Sequence, residues 1–298
     1  MPIKIVKYFS LFIFWLMGVY LLAFFLCLYG HIKESNIIAN RADELLQKLV
    51  AGEKLALRKI STIQNMTRKI NPIFFEPSVV FQCLLGKREI YKAVNLKLSN
   101  TVESIKGDLA GVAFGQVYLQ GINLNNADLR RTNLANSILS KSSLREANLV
   151  FAKLNGANFQ EADFQNAMLF KADLSGAILK GANLFGANLS EANLKRANLQ
   201  DVNFHDANFT GADLRGADLK KTVLEGANFR KAFFKGANLR GANLRGTNLN
   251  FAKLNGANFQ EADFQNAMLF KADLSGAILK GANLFGANLS EANLKRAN

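Results

Sequence analysis

Few side chains in this chain have the chemistry of a catalytic or metal site, and their spacing argues against one. The histidines are His31 and His205, and the cysteines are Cys27 and Cys83. Zinc ligands come in pairs a few residues apart, and neither pair has that spacing. His205 precedes Asp206, the start of a proton-relay dyad, but no nucleophile recurs nearby and a solvated position is the stronger reading. Gly236 and Gly241 stand apart like the glycines of a phosphate-binding loop, yet Ala242 occupies the place of its lysine. Asp128, Asp163, Asp173, Asp213 and Asp218 would have to form any acidic ligand face, and they are scattered among neutral Asn. The densest basic group, Arg230, Lys231, Lys235, Arg240 and Arg245, suits at most a modest anionic contact. No catalytic residue, cofactor or metal is therefore expected, and an enzyme is the weakest of the functional classes considered.

The elements that would carry these residues share one period. From Leu109 to Leu294 every fifth residue is Leu or Phe, over 38 consecutive positions. A helix repeats its apolar residues every three or four positions and a strand every two, so a sustained period of five is neither. Two residues before each Leu or Phe stands a small residue, usually Ala, as in Ala182, Ala187, Ala192 and Ala197. The pair points inward. The residue between them is mostly Asn or Asp, types that bond their own backbone in turns. All three prolines, Pro2, Pro72 and Pro77, lie outside this region, as a ladder of backbone hydrogen bonds requires.

Segments such as Ala182-Asn183-Leu184, Ala212-Asp213-Leu214 and Ala242-Asn243-Leu244, each followed by two variable residues, resemble the A-(D/N)-L-x-x consensus of the pentapeptide-repeat family. The resemblance covers residues 107 to 298. It implies an all-β solenoid, a right-handed quadrilateral β-helix with four repeats per coil and about nine and a half coils. Adjacent coils would stack about 4.7 to 4.9 Å apart, giving a rod roughly 45 Å long. The small position holds Gly107, Val112, Val117, Ile122, Thr132, Ser137 and Ser142 in the first coils, which are expected to be wider or less regular.

Residues 151–198 recur unchanged at 251–298, an offset of five whole coils that returns each copied side chain to the same face. Phe151 and Phe170 fall at variable, outward positions of adjacent coils beside Val150, and Phe251 and Phe270 repeat them. Phe185 and Phe285 recur on another face. These six are the candidate interaction surface, for a protein partner or a second rod. Against this stands the plainer reading, with more weight, that corner residues fold over the neighbouring coil. The sequence stops at Asn298 inside a repeat, with no cap. It is expected either to self-associate through that last coil or to be truncated from a longer product, and the position of the cut favours truncation.

The first third is different. After a basic flank, residues 1–7, residues 8–29 carry no charge and are rich in Phe, Tyr and Leu. Twenty-two such residues suffice for a helix across a bilayer of about 30 Å. Leu26-Cys27-Leu28-Tyr29 offers neither a small-residue cleavage site nor a lipobox, so the segment reads as an uncleaved single-pass anchor in membrane lipid. Lys4 and Lys7 before it and Lys33, Arg41 and Lys48 after it nearly balance, leaving the side of the repeat undetermined. Residues 30–71 read as an amphipathic helical juxtamembrane region, with Ile38, Ala42, Leu45 and Leu49 on one stripe. Residues 72–106 read as a linker and N-terminal cap.

The formal charge is +14, divided as +8 before residue 107 and +6 in the repeat. Some pentapeptide-repeat proteins protect topoisomerases by imitating duplex DNA, which needs a strongly negative rod. This rod has the opposite sign. Its Lys and Arg alternate along the sequence with acids instead of forming one basic run, so nucleic acid is not the expected partner. The expected function is a membrane-anchored, non-enzymatic module for protein–protein interaction or scaffolding. A topoisomerase-directed or nucleic-acid-associated regulator is the alternative.

Overall fold

A period of five closes into a four-sided coil when each repeat supplies one short extended side and one tight corner. In the computed structural model, which describes residues 99, 100, 102, 103 and 106–298, parallel bridges join Ala113 to Asn133, Tyr118 to Ile138, Asn123 to Ser143 and Asp128 to Asn148. The offset of 20 then continues without a slip to Asp273 and Asn293. Four repeats make one coil, and the coils form a β-solenoid. We number its sides by these residues: face 1 begins at Ala113, face 2 at Tyr118, face 3 at Asn123 and face 4 at Asp128.

Each repeat spends its backbone groups in a fixed way. Around the face 4 side, the Asn208 amide donates to the Ala187 carbonyl at 2.9 Å and the Phe209 amide to the Asn228 carbonyl at 2.7 Å. A third bond leaves from the corner, where the Gly211 amide donates to the Arg230 carbonyl at 2.9 Å. Corners are type II turns, closed by a bond such as that from the Ala192 amide to the Leu189 carbonyl at 3.0 Å, with positive φ at the third residue, Glu191 at 56°. The Asn and Asp side chains brace these turns: Asn133 Oδ1 accepts the Ala135 amide at 3.1 Å. They also bond along a face, where Asn203 Nδ2 donates to Asn183 Oδ1 at 3.1 Å and Asn183 Nδ2 to Asp163 Oδ1 at 3.2 Å.

Leu and Phe fill the interior from all four sides, with Ala beside them, and both are buried from Leu109 through Leu274. A cluster of four phenylalanines lies at mid-rod. Phe209 stacks on Phe229 with centroids 4.6 Å apart, and Phe204 and Phe234 meet this pair edge-on at 4.9 and 5.1 Å. At the start, Val102 is buried, Glu103 Oε1 accepts the Asn123 amide at 2.8 Å, and a 3-10 turn, Lys106–Asp108, presents the Lys106 carbonyl to the Asp128 amide at 3.0 Å. In the last coil Leu279, Leu284 and Leu289 are half-buried and Leu294 is exposed.

The first coils keep the register despite their unusual small residues. Thr132 Oγ1 and Ser142 Oγ donate to the carbonyls of Leu129 and Leu139 within their own turns, so these inward hydroxyls are satisfied. Only the corner after Phe114 departs from the pattern: Gly115 has φ 26°, and the Val117 amide donates to Ser137 Oγ one coil on, at 3.2 Å. The expected irregularity is confined to that corner.

Positive φ makes each corner's third residue a test of backbone strain. A Cβ at Gly226, where φ is 71°, would collide with Asp206 Oδ1. Gly226→Val should lower stability by at least about 1–2 kcal/mol. Phe151, held at φ 59°, is the reverse case, and Phe151→Gly should leave stability unchanged or raise it by up to about 1 kcal/mol. Urea titration of the two variants checks both signs.

The anchor assigned to residues 8–29, the juxtamembrane helix of 30–71 and most of the 72–106 linker lie outside the described residues. Among the described residues no helix is long and apolar enough to cross a membrane.

Candidate interaction surface

Coiling separates the residues that looked chemical in the sequence. Gly236 and Gly241 stand at successive corners of one coil, with φ of 69° and 66°, and form no common loop. Asp173 and Asp213 lie on face 1, Asp218 on face 2, Asp163 on face 3 and Asp128 on face 4. Each accepts the amide two residues on, the turn-bracing role. Among the described residues no cluster of His, Cys, Asp and Glu could hold a metal ion. His205 Nδ1 is 3.0 Å from Asp206 Oδ2 but is not aligned to hydrogen-bond it, and the ring stacks on Phe185 at 5.5 Å. The imidazole is thus a corner side chain covering its neighbour below.

The six candidate phenylalanines lie at two corners of the coil. Phe151 and Phe170 stand at the corner between faces 4 and 1, in consecutive coils, and meet edge to face at 5.9 Å. Phe251 and Phe270 repeat the contact at 5.5 Å. Phe185 and Phe285 occupy a different corner, between faces 3 and 4, so the two groups stand on either side of face 4. Packing over the next coil partly covers them, yet Phe151 keeps 44% of its surface exposed and Phe251 36%. Phe285 is 73% exposed. Cations sit over these rings: Arg131 lies 5.8 Å and Lys171 5.9 Å from the Phe151 centroid, and Lys271 lies 4.9 Å from that of Phe270.

Sequence reasoning missed Met168 and Met268 on face 4 and Phe233 on face 1, each about two-fifths exposed. All three occupy the position normally held by Asn or Asp, so departure from consensus at that outward site was the available signal.

Charge is redistributed as well. The basic group noted in the sequence divides among all four corners, with Arg230 and Lys231 at one and Lys235, Arg240 and Arg245 at one each. Register instead gathers residues 20 apart. The corner between faces 1 and 2 carries Lys195, Arg196, Arg215, Lys235, Lys295 and Arg296 with no acid. That between faces 4 and 1 carries Arg130, Arg131, Lys171, Arg230, Lys231 and Lys271 against Glu191 and Glu291. Counting Lys153 and Lys253 on its flat side, face 1 with its two corners holds 14 basic and 5 acidic residues. Face 3 with its corners holds 8 of each, so the rod is electrically two-sided.

The acids on face 1 are engaged. Burial pushes the Asp213 carboxyl up, but hydrogen bonds from Arg215 and Lys195 more than offset it and leave the group below its usual range. For Asp273 burial again acts upward and is outweighed by Ser275, Lys253 and Asn293. On face 4 the Arg130 hydrogen bond is the main cause holding Asp128 low. Depressed folded-state values mean that these groups stabilise the fold above their ordinary pKa, 3.8, and lose that contribution as pH falls through the depressed values. Urea midpoints should therefore hold between neutral pH and about 5, then fall below about 4. Asp213→Asn should shallow that fall.

The pentapeptide-repeats family matches in eight copies, over residues 108–145, 147–184, 177–216, 207–246, 247–284 and 262–298. Among solved structures, HetL, a pentapeptide repeat protein involved in heterocyst differentiation regulation in the cyanobacterium Nostoc sp. strain PCC 7120, is 32% identical. That match covers 68% of this chain and 93% of HetL, with a TM-score of 0.55. A second Nostoc pentapeptide repeat protein, alr5209, is 40% identical over 30% of this chain and 69% of its own, with a TM-score of 0.16. QnrB1, a plasmid-mediated fluoroquinolone resistance protein, is 20% identical over 62% of this chain and 91% of its own, with a TM-score of 0.38. No curated protein matches the chain.

Proposed function

The chain belongs to the pentapeptide-repeat family, and from that premise we propose that it is a membrane-anchored, non-enzymatic interaction module. Residues 8–29 hold it in the bilayer as a single-pass anchor, and the outer surface of its right-handed rod receives a protein partner. The observation that carries this reading is the separation of roles in the repeat. Coiling sends Gly236 and Gly241 to successive corners and spreads the candidate acids over all four faces, while it stacks outward apolar side chains into two matched groups five coils apart. The likeness to HetL, a protein named for regulation, supports a binding role over a catalytic one. Topoisomerase mimicry is disfavoured because it calls for an acidic rod, and this one is basic on face 1 and neutral on face 3.

Extraction of membranes from cells expressing the full chain tests the anchor. The chain should stay with the membrane through high salt and alkaline carbonate and enter solution only with detergent. Release by carbonate alone would sink this reading.

A further inference from the structure

We propose that face 1, with the corners on either side of it, lies against a membrane surface rich in anionic lipid. This rests on the anchoring of residues 8–29. Two independent features of the face meet the chemistry of such a surface. The first is charge: Arg131, Lys153, Arg196, Arg230, Lys231 and Lys235 have no carboxylate partner among the described residues. Acids on the same face are already bound by other cations or by turn amides. The second is exposed apolar surface among those cations. Phe233, 43% exposed, lies between Arg230 and Lys231 on one side and Lys235 on the other, with Lys253 next along the ladder. Phe151 and Phe251 project from the adjoining corner. Aromatic rings that enter the headgroup layer while Lys and Arg reach phosphates are the usual make-up of an interfacial surface.

The geometry favours lipid over a nucleic acid strand. Bases need open ring faces as platforms. Here Phe151 and Phe170, like Phe251 and Phe270, stand edge to face, and Lys or Arg side chains already lie over the rings. A protein partner is then left the neutral face 3 and the corner bearing Phe185 and Phe285.

Amine labelling of the full chain, with a membrane-impermeant reagent and mass spectrometry of each lysine, tests the assignment. The chain is placed in vesicles of phosphatidylcholine alone or with phosphatidylglycerol. Lys153, Lys231, Lys235 and Lys253 should react at least about fivefold more slowly in the anionic vesicles. Lys141, Lys220 and Lys221, at the corner between faces 2 and 3, should be unchanged. Flotation with both vesicles but equal labelling would overturn the face assignment and leave the anchor standing. Flotation with anionic vesicles only, with face 1 protected, would support the assignment and remove the anchor. Absence from both floated fractions would overturn both. Protection in detergent micelles by an added oligonucleotide, with none from anionic lipid, would overturn the lipid assignment in favour of nucleic acid.

Discussion

Phe229→Ala should cost about 3–5 kcal/mol of stability, the range for removing a fully buried aromatic ring from a packed interior. The ring is fully buried, stacked on Phe209 at 4.6 Å and met edge-on by Phe234 at 5.1 Å. Its backbone is pinned on both sides, since its amide donates to the Asn248 carbonyl and its own carbonyl accepts the Ala232 amide. The coil cannot move inward to fill the space without stretching those bonds, so the cavity should persist. In a solenoid each unit is stabilised by its two neighbours, and a defect at mid-rod weakens the coupling of the halves. Urea unfolding of the variant should become less cooperative as well as earlier. A loss under about 1 kcal/mol would mean that the four-phenylalanine cluster is not packed as described.

Asn208→Pro should be of similar size, about 3 kcal/mol or more, for a backbone reason. Proline removes the amide that donates to the Ala187 carbonyl at 2.9 Å, in the middle of the face 4 ladder. The side-chain oxygen that accepts both the Thr210 amide and the Thr210 hydroxyl also disappears. Ser190→Pro, one coil earlier, is the contrast. Ser190 is the second residue of a type II turn, where proline's fixed φ is suited, and its amide bonds only to Asn188 Oδ1. That variant should be within about 0.5 kcal/mol of the parent. Native-state hydrogen exchange should show faster exchange in the coils around residue 208 of Asn208→Pro and no such change in Ser190→Pro.

The coil itself was legible because its period is written in single residues. Leu and Phe at every fifth position define the interior, and Asn or Asp between the inward pair defines the turn brace. Surface organisation was not legible in the same way. Residues that adjoin on a face are 20 apart, so Arg131, Phe151 and Lys171 form one column although neither flanking residue is near Phe151 in sequence. Arg230 through Arg245 looked like a basic cluster and became a girdle of the coil, while the acid-free corner of Lys195, Arg215 and Lys235 was invisible until the ladder aligned it. Thr132 and Ser142 seemed to interrupt the core, yet their hydroxyls close bonds to carbonyls three residues back, a local geometry that residue type alone does not specify.

Protease digestion of sealed membrane vesicles carrying the full chain tests the central claim most directly, since that claim joins an anchor in residues 8–29 to an interaction rod. The chain between the anchor and the repeat, residues 30–106, should be cut where it is exposed to protease, while the hydrogen-bonded coils resist. With the rod outside, the account predicts one resistant fragment beginning near residue 107 and a separate short fragment containing residues 8–29 that stays with the lipid; with the rod inside, it predicts one protected fragment that keeps residues 8–29 and the rod together. A chain degraded throughout, or a resistant rod released together with residues 8–29, would contradict it.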